Sequence, residues 1–207
     1  MPTEKRLLKV FLCHASQDKP TVRELYQRLL AKGWIDPWLD EEKLLPGQEW
    51  ELEIEKSVEA ADVVIACLSR KAVEKEGYYQ KEIKKVLDVA DQKPEGTIFI
   101  IPLRLDDCQI PRRLTKWQYE DYFPVGQREQ AYERLLQSLS TRFSQVKLRN
   151  DNVQQIHSEL NSLSGWDEKW LEKHRLNAQK DMKKNGFAGF LEVKFALLNR
   201  KPKVSLD

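Results

Sequence analysis

The chain has 207 residues, of which 41% are hydrophobic and 33% charged, a balance typical of a folded globular protein. Its 35 basic and 33 acidic residues leave a net charge of +2, so nothing in the composition favours a nucleic-acid binder. The longest apolar run, residues 60–68, is interrupted by Asp62 and is too short to cross a bilayer. Because residues 1–9 also lack the apolar core of a signal peptide, we expect a cytoplasmic protein without membrane contact.

The cysteines and histidines argue against several classes of site. Cys13, Cys67 and Cys108 are far apart and odd in number, which disfavours a disulfide framework and a zinc site built on a Cys-x-x-Cys pair. Cys13 and Cys67 stand in apolar runs, where a buried thiol is the simplest interpretation. The three histidines fit no metal or catalytic-triad spacing. We therefore expect no metal site and no bound cofactor.

Apolar segments alternate with helical patterns along the first 145 residues. Four segments are predicted as strands, residues 7–13, 34–39, 63–68 and 97–105. Four stripes at helical spacing lie within residues 22–30, 50–61, 79–90 and 131–143. Gly33 is predicted to end the first helix, Ser16 or Asp18 to cap its start, and Pro20 to lie in its first turn. Residues 40–48 and 106–124 are predicted to be irregular.

This alternation predicts an α/β fold, a flavodoxin-like doubly wound parallel sheet with helices on both faces. Ligands bind such sheets at the carboxyl ends of the strands. Here those ends are residues 14–18, 40–47, 69–79 and 106–111. The sequence contains neither a Gly-x-Gly-x-x-Gly nor a Walker loop, which disfavours the nucleotide folds that cradle phosphates in this way.

Several spaced motifs resemble those of the Toll/interleukin-1 receptor (TIR) domain family. VFLCHASQD at residues 10–18 is similar to the first strand of a TIR domain and the loop after it. WLD at 38–40 followed by LLPG at 44–47 resembles the second strand and the BB loop, and ADVVIACLS at 61–69 resembles the third strand. The resemblance covers roughly residues 7–143, so we predict a TIR domain over residues 1–145.

The resemblance leaves two functions open. Some TIR domains, including those of bacterial immunity, cleave NAD+ between nicotinamide and ribose to give ADP-ribose or a cyclic isomer, and others only recruit partner TIR domains. YYQKEI at residues 78–83 resembles the segment that holds the catalytic glutamate, which places Glu82 at that position. A receiver domain of the same topology is disfavoured, because the third strand ends Cys67-Leu68-Ser69 and offers no aspartate for phosphorylation.

The reaction explains why one acid suffices. Loss of nicotinamide leaves a ribosyl cation, which a carboxylate beside the ribose stabilises. Nicotinamide is already a cationic leaving group, so no second carboxyl is needed to protonate it. The alternative is that Glu82 is an ordinary helix-surface residue, paired with a lysine such as Lys85 three positions away.

Five further residues are candidates for substrate binding. Trp38 and Tyr78 offer aromatic faces to the planar rings of NAD+, although each could simply pack within the fold. Ser16, Ser69 and His14 lie at predicted strand ends. Helix capping or a turn explains the two serines without any ligand.

The resemblance implies that the BB loop, here Leu44, Leu45, Pro46 and Gly47, mediates self-association. Its apolar residues at an expected exposed position favour the same role. The resemblance implies that assembly activates the enzyme and that an upstream partner could cluster it.

Residues 146–207 are predicted to form an α-rich C-terminal extension or the start of a second domain. Residues 150–152 resemble a linker, and Leu163, Trp166 and Trp170 follow at helical spacing. The segment could pack on the TIR domain, mediate assembly or continue into a longer domain. Its basic end, residues 200–203, is more typical of a solvated face than of a lipid or nucleic-acid contact.

Overall fold

A computed structural model describes residues 6–74 and 78–161 of the chain. Within these ranges, the side chains at positions 41, 78, 79, 153, 154 and 156–161 lie outside the description. The predictions for residues 162–207, including those for Leu163, Trp166 and Trp170, also fall outside it.

Strands and helices alternate along the described chain. In order, they are β1 (Leu8–Cys13), α1 (Lys19–Leu30), β2 (Ile35–Trp38), α2 (Asp40–Lys43), α3 (Trp50–Ala60), β3 (Val63–Leu68), α4 (Arg70–Glu74), α5 (Tyr78–Ala90), β4 (Ile100–Arg104), β5 (Glu120–Asp121) and α6 (Arg128–Asn161). Among these residues, no helix combines the length and apolar character that crossing a bilayer requires.

The strands form one parallel sheet in the order β2-β1-β3-β4-β5. This is the strand order of the flavodoxin-like doubly wound fold, so the predicted fold class is confirmed. Strand β1 lies between β2 and β3, with Leu8 opposite Ile35 and Cys13 opposite Ala66. Strand β5 was not predicted. It has only two residues, both acidic, and therefore shows none of the apolar pattern by which a strand is recognised.

Alternation along β1 divides the core between the two faces of the sheet. Leu8, Val10 and Leu12 face the cluster that contains α1 and α6. Phe11 and Cys13 face the opposite cluster, which contains α3 and α5. The end of β1 therefore presents Cys13 to the helix that bears the predicted catalytic acid.

The ends of helix α1 differ in how well they were predicted. Pro20 lies in its first turn, and Gly33 follows its last turn with φ +69°, a conformation that glycine adopts without strain. The predicted cap is wrong: in the described chain, neither Ser16 nor Asp18 caps the helix with its side chain. Asp18 instead accepts a hydrogen bond from Ser69, 51 positions away.

Two segments are more helical than predicted. Helix α2 occupies the start of the predicted 40–48 loop. Helix α6 continues through residues 150–152, so the linker predicted there is wrong. Close packing groups residues 1–147 into one unit and residues 148–207 into another. The functional division at residue 145 stays a prediction.

We expect Leu139→Ala to destabilise the fold by about 2–5 kcal/mol, because the side chain of Leu139, on α6, is fully buried against the sheet. The matched control is Ser140→Ala, an exposed neighbour on the same helix, with an expected change of no more than about 0.5 kcal/mol. Urea unfolding measures both. Equal stabilities for the two variants would mean that α6 does not complete this core.

Candidate functional site

Glu82 lies in the second turn of α5 and is buried, with 7% of its surface exposed. The next residue, Ile83, packs in the same cluster as Phe11 and Cys13 on that face of the sheet. Helical geometry thus turns Glu82 toward the end of β1 rather than toward solvent. The alternative interpretation of Glu82 as a surface residue is wrong.

The closest described partner of Glu82 is a thiol. Cys13 Sγ lies 3.3 Å from Glu82 Oε2, and both groups are buried. Burial and the nearby carboxylate raise the pKa of Cys13 well above its usual value, so the thiol keeps its proton and donates this hydrogen bond. The interpretation of Cys13 as a buried thiol is confirmed, but the contact it makes was not predicted.

Burial raises the pKa of Glu82 from an ordinary value to about 7. The hydrogen bond from Cys13 opposes this rise, and the charge of Asp40 adds to it. Near neutral pH, Glu82 therefore exists in both protonation states. A carboxylate with these properties is typical of functional sites, because burial without a charged partner costs stability.

His14 and Asp40 face each other where β1 and β2 end. The backbone carbonyl of Leu12 lies 3.1 Å from His14 Nδ1. His14 Nε2 is 3.7 Å from Asp40 Oδ1, and the other carboxylate oxygen is 3.9 Å from Lys19 Nζ. Nε2 and Oδ1 are both shielded from solvent, and neither has a hydrogen-bond partner among the described residues.

Ser69 joins the loops that follow β1 and β3. Its hydroxyl donates to Asp18 Oδ2 at 2.8 Å and accepts the backbone N–H of Ala72 at 3.1 Å. Burial raises the pKa of Asp18, and the bond from Ser69 opposes that rise. These contacts are those of a helix cap and a loop tether, and a ligand role for Ser69 stays a prediction.

Trp38 is half-buried and stacks on Phe11, with ring centroids 4.9 Å apart. It lines a cleft of about 250 Å³ together with Ser57 and Ala60 of α3. Trp38 thus lies on the same face of the sheet as Glu82. Tyr78 begins α5, and its side chain lies outside the described residues. Ring binding by either residue stays a prediction.

The remaining predicted positions are exposed, with the exception of Leu44. Ser16 is exposed in a 3₁₀ turn before α1. In the loop after α2, Leu45 is 67% exposed and Pro46 is exposed, whereas Leu44 is half-buried, contrary to the exposure expected for it. Gly47 has φ +90°, which explains the glycine at this turn.

Two acidic residues near the strand ends were not predicted as site residues. Asp18 follows β1, where it contacts Ser69, and Asp40 begins α2 just after β2, where it faces His14. The rule that ligands bind at strand ends could have selected both. Within residues 6–74 and 78–161, no group of three or more histidine, cysteine or acidic side chains is placed to hold a metal.

The profile of the TIR domain family matches residues 10–136, and the chain belongs to this family. Its fold is similar to the TIR domain of the Toll-related receptor TRR-2 from Hydra magnipapillata, with 19% identity, a TM-score of 0.53, and coverage of 64% of this chain and 98% of that one. That similarity is one of fold.

Two weaker structural similarities accompany it. A prokaryotic SEFIR domain has 15% identity and a TM-score of 0.48 over 63% of this chain and 96% of that one. The TIR domains of the activated Roq1 resistosome, which recognises the effector XopQ, have 15% identity and a TM-score of 0.41 over 92% of this chain and 97% of theirs. No curated protein sequence gives a significant match.

We expect Cys13→Ala to raise the pKa of Glu82 above about 7, because it removes the donor that favours the carboxylate. The matched variant Cys13→Ser keeps a donor and should hold the pKa of Glu82 near its original value. Carbon-13 NMR titration of the glutamate carboxyls, with Glu82 identified by its loss in Glu82→Gln, measures this. An unchanged or lower pKa in Cys13→Ala would contradict the hydrogen bond.

Proposed function

We propose that this chain is an NAD+ nucleohydrolase that cleaves the bond between nicotinamide and ribose and becomes active on self-association. The proposal rests on one observation: the acid that the TIR resemblance selects, Glu82, is a buried carboxyl group held by Cys13 where β1 ends. NAD+ is the substrate, and the chemistry needs no further cofactor.

The proposed reaction breaks the bond from the ribose C1′ to the nicotinamide nitrogen. The electron pair of that bond moves to the nitrogen, so nicotinamide leaves as a neutral molecule. The cation on the ribose is stabilised by the Glu82 carboxylate, whose effect is strengthened by its low-dielectric surroundings. Water adds to C1′ and loses a proton to give ADP-ribose. Attack by an atom of the adenine instead gives a cyclic isomer.

The charges around Glu82 suit this substrate. Asp40 lies close enough to Glu82 to raise its pKa, so the two carboxyl groups make the site anionic. An anionic site attracts the positively charged nicotinamide ring and disfavours the neutral product. Substrate charge therefore also favours the ionised form of Glu82 when NAD+ binds.

The loop after α2 supports self-association. Leu45 and Pro46 are apolar and exposed there, a combination typical of contact surfaces. The same observation favours the second candidate function, a scaffold that binds other TIR domains without catalysis. A role in immunity and activation by an upstream clustering partner stay predictions.

Glu82→Gln should lower the rate of NAD+ cleavage by roughly a hundredfold or more, because it removes the charge that stabilises the ribosyl cation. Asp88→Asn, which alters an exposed carboxylate on the same helix, is the matched control and should stay within about twofold of the original rate. The reactions are run at high protein concentration, and chromatography quantifies the nicotinamide released. The same chromatography gives both rates and separates ADP-ribose from cyclic products.

Equal rates for the unmodified protein and Glu82→Gln would remove Glu82 from the mechanism. If neither protein releases nicotinamide even when clustered through a fused oligomerising domain, the scaffold function replaces the enzymatic one.

Leu45→Glu should lower both self-association and the rate per molecule by roughly tenfold or more, because it places a charge in the proposed contact. Val125→Glu introduces the same charge at an apolar position that is 74% exposed outside this loop, and should leave both unchanged. Sedimentation velocity and NAD+ cleavage across a concentration series measure the two effects. A monomeric Leu45→Glu protein with full activity would show that catalysis does not need this contact.

A further inference from the structure

The two buried polar atoms that face each other across the ends of β1 and β2 indicate a ligand. His14 Nε2 and Asp40 Oδ1 are shielded from solvent without hydrogen-bond partners among the described residues. Buried polar atoms in folded proteins nearly always have such partners. Their separation of 3.7 Å is too long for a direct hydrogen bond between them.

The local contacts establish what kind of partner both atoms need. The Leu12 carbonyl oxygen can only accept a hydrogen bond, so Nδ1 carries the proton of a singly protonated His14 ring. Nε2 then offers a lone pair. Asp40 Oδ1 is an acceptor as well, while its second oxygen faces the ammonium group of Lys19. A ligand that satisfies this pair must therefore supply two hydrogen-bond donors.

The 3.7 Å separation favours one type of double donor. A water molecule or an amide NH₂ directs its two protons apart, toward acceptors roughly 4.5–5 Å from each other when each bond has its usual length. Two neighbouring hydroxyl groups donate from separate oxygens in nearly parallel directions. Acceptors at the observed separation suit such a diol better than they suit a single nitrogen or oxygen.

We propose that His14 and Asp40 together bind the vicinal diol of a ribose, each accepting a hydrogen bond from one hydroxyl group. Because His14 directly follows Cys13, whose thiol contacts Glu82 Oε2, the bound diol lies near that carboxyl group. The ribose in question is the one attached to nicotinamide, an assignment that rests on the proposed function. His14 and Asp40 would thus position C1′ of that ribose against Glu82 and select substrates that carry both hydroxyls.

The test compares NAD+ with analogues that lack the 2′- or the 3′-hydroxyl on the nicotinamide-side ribose. Relative to the uncatalysed cleavage of the same compounds, the original protein should favour NAD+ by roughly tenfold or more in kcat/KM, since each analogue lacks one of the two hydrogen bonds to His14 and Asp40. Asp40→Ala and His14→Phe should each reduce that preference at least fivefold. The matched control is Asp36→Ala, which removes a carboxylate of β2 that pairs with Lys43, and it should keep the preference.

The quantity compared between proteins is the ratio of kcat/KM for NAD+ to kcat/KM for an analogue, and this comparison removes two complications. The intrinsic reactivity of each analogue is the same for every protein, so it cancels when the ratios of two proteins are compared. A change in the ionisation of Glu82 affects both rates within one variant and leaves their ratio unchanged. Asp40→Leu, which keeps the approximate volume of the side chain and removes both acceptor oxygens, serves as a second variant should Asp40→Ala fold poorly. Analogues deoxygenated on the adenosine-side ribose distinguish the two riboses of NAD+, and a preference lost only with them would overturn the assignment.

The outcomes separate this inference from the proposed function. Cleavage of NAD+ with an undiminished diol preference in both variants would overturn the inference alone. If the protein releases no nicotinamide, the proposed function fails, and calorimetric binding of the same compounds replaces the rates. If the original protein binds the compounds with both hydroxyls more tightly and the variants do not, the inference is supported. If the original protein shows no such preference in binding, the inference is contradicted.

Discussion

The candidate site depends on the contact between Cys13 and Glu82. One group ends the interior strand β1, the other lies on α5, and they are 69 positions apart in the chain. A buried carboxyl group in apolar surroundings favours its neutral form, whereas a donated hydrogen bond favours the carboxylate. The balance of these effects, together with the charge of Asp40, brings the pKa of Glu82 to about 7. The fold thereby keeps a charge available inside the protein at neutral pH.

The parallel sheet explains why so few residues define this site. The carboxyl ends of β1, β2 and β3 meet at one edge, and each contributes polar groups to the loop that follows it: His14 after β1, Asp40 after β2 and Ser69 after β3. Helix α5 then covers one face and adds Glu82. Ser69 and Asp18 hold the first and third loops together, so their contacts support the site without requiring a ligand.

The repeating features of the fold could be predicted from the sequence, whereas the catalytic role of Glu82 stays a prediction. Strands buried on both faces are apolar runs and amphipathic helices have a clear period, which is why β1 and β3 stand out as strands and α3 as a helix. Strand β5 has no apolar run, and α6 continues through polar residues that resemble a linker. The pairings of Cys13 with Glu82 and of His14 with Asp40 depend on sheet register and helix rotation, so no local pattern predicts them. Family motifs selected Glu82 only because its neighbours in the chain resemble those of other TIR domains.

Catalysis by a carboxylate whose pKa burial has raised has a specific pH signature. The most direct measurement is the rate of NAD+ cleavage by the concentrated, self-associated protein between pH 5 and pH 9, with nicotinamide quantified at each point. The account predicts a rate that rises with pH through a single ionisation near 7, the value expected for Glu82 before substrate binds. Bound NAD+ should lower that midpoint in kcat relative to kcat/KM. A rate that is independent of pH over this range, or that falls as pH rises through 7, would contradict the account.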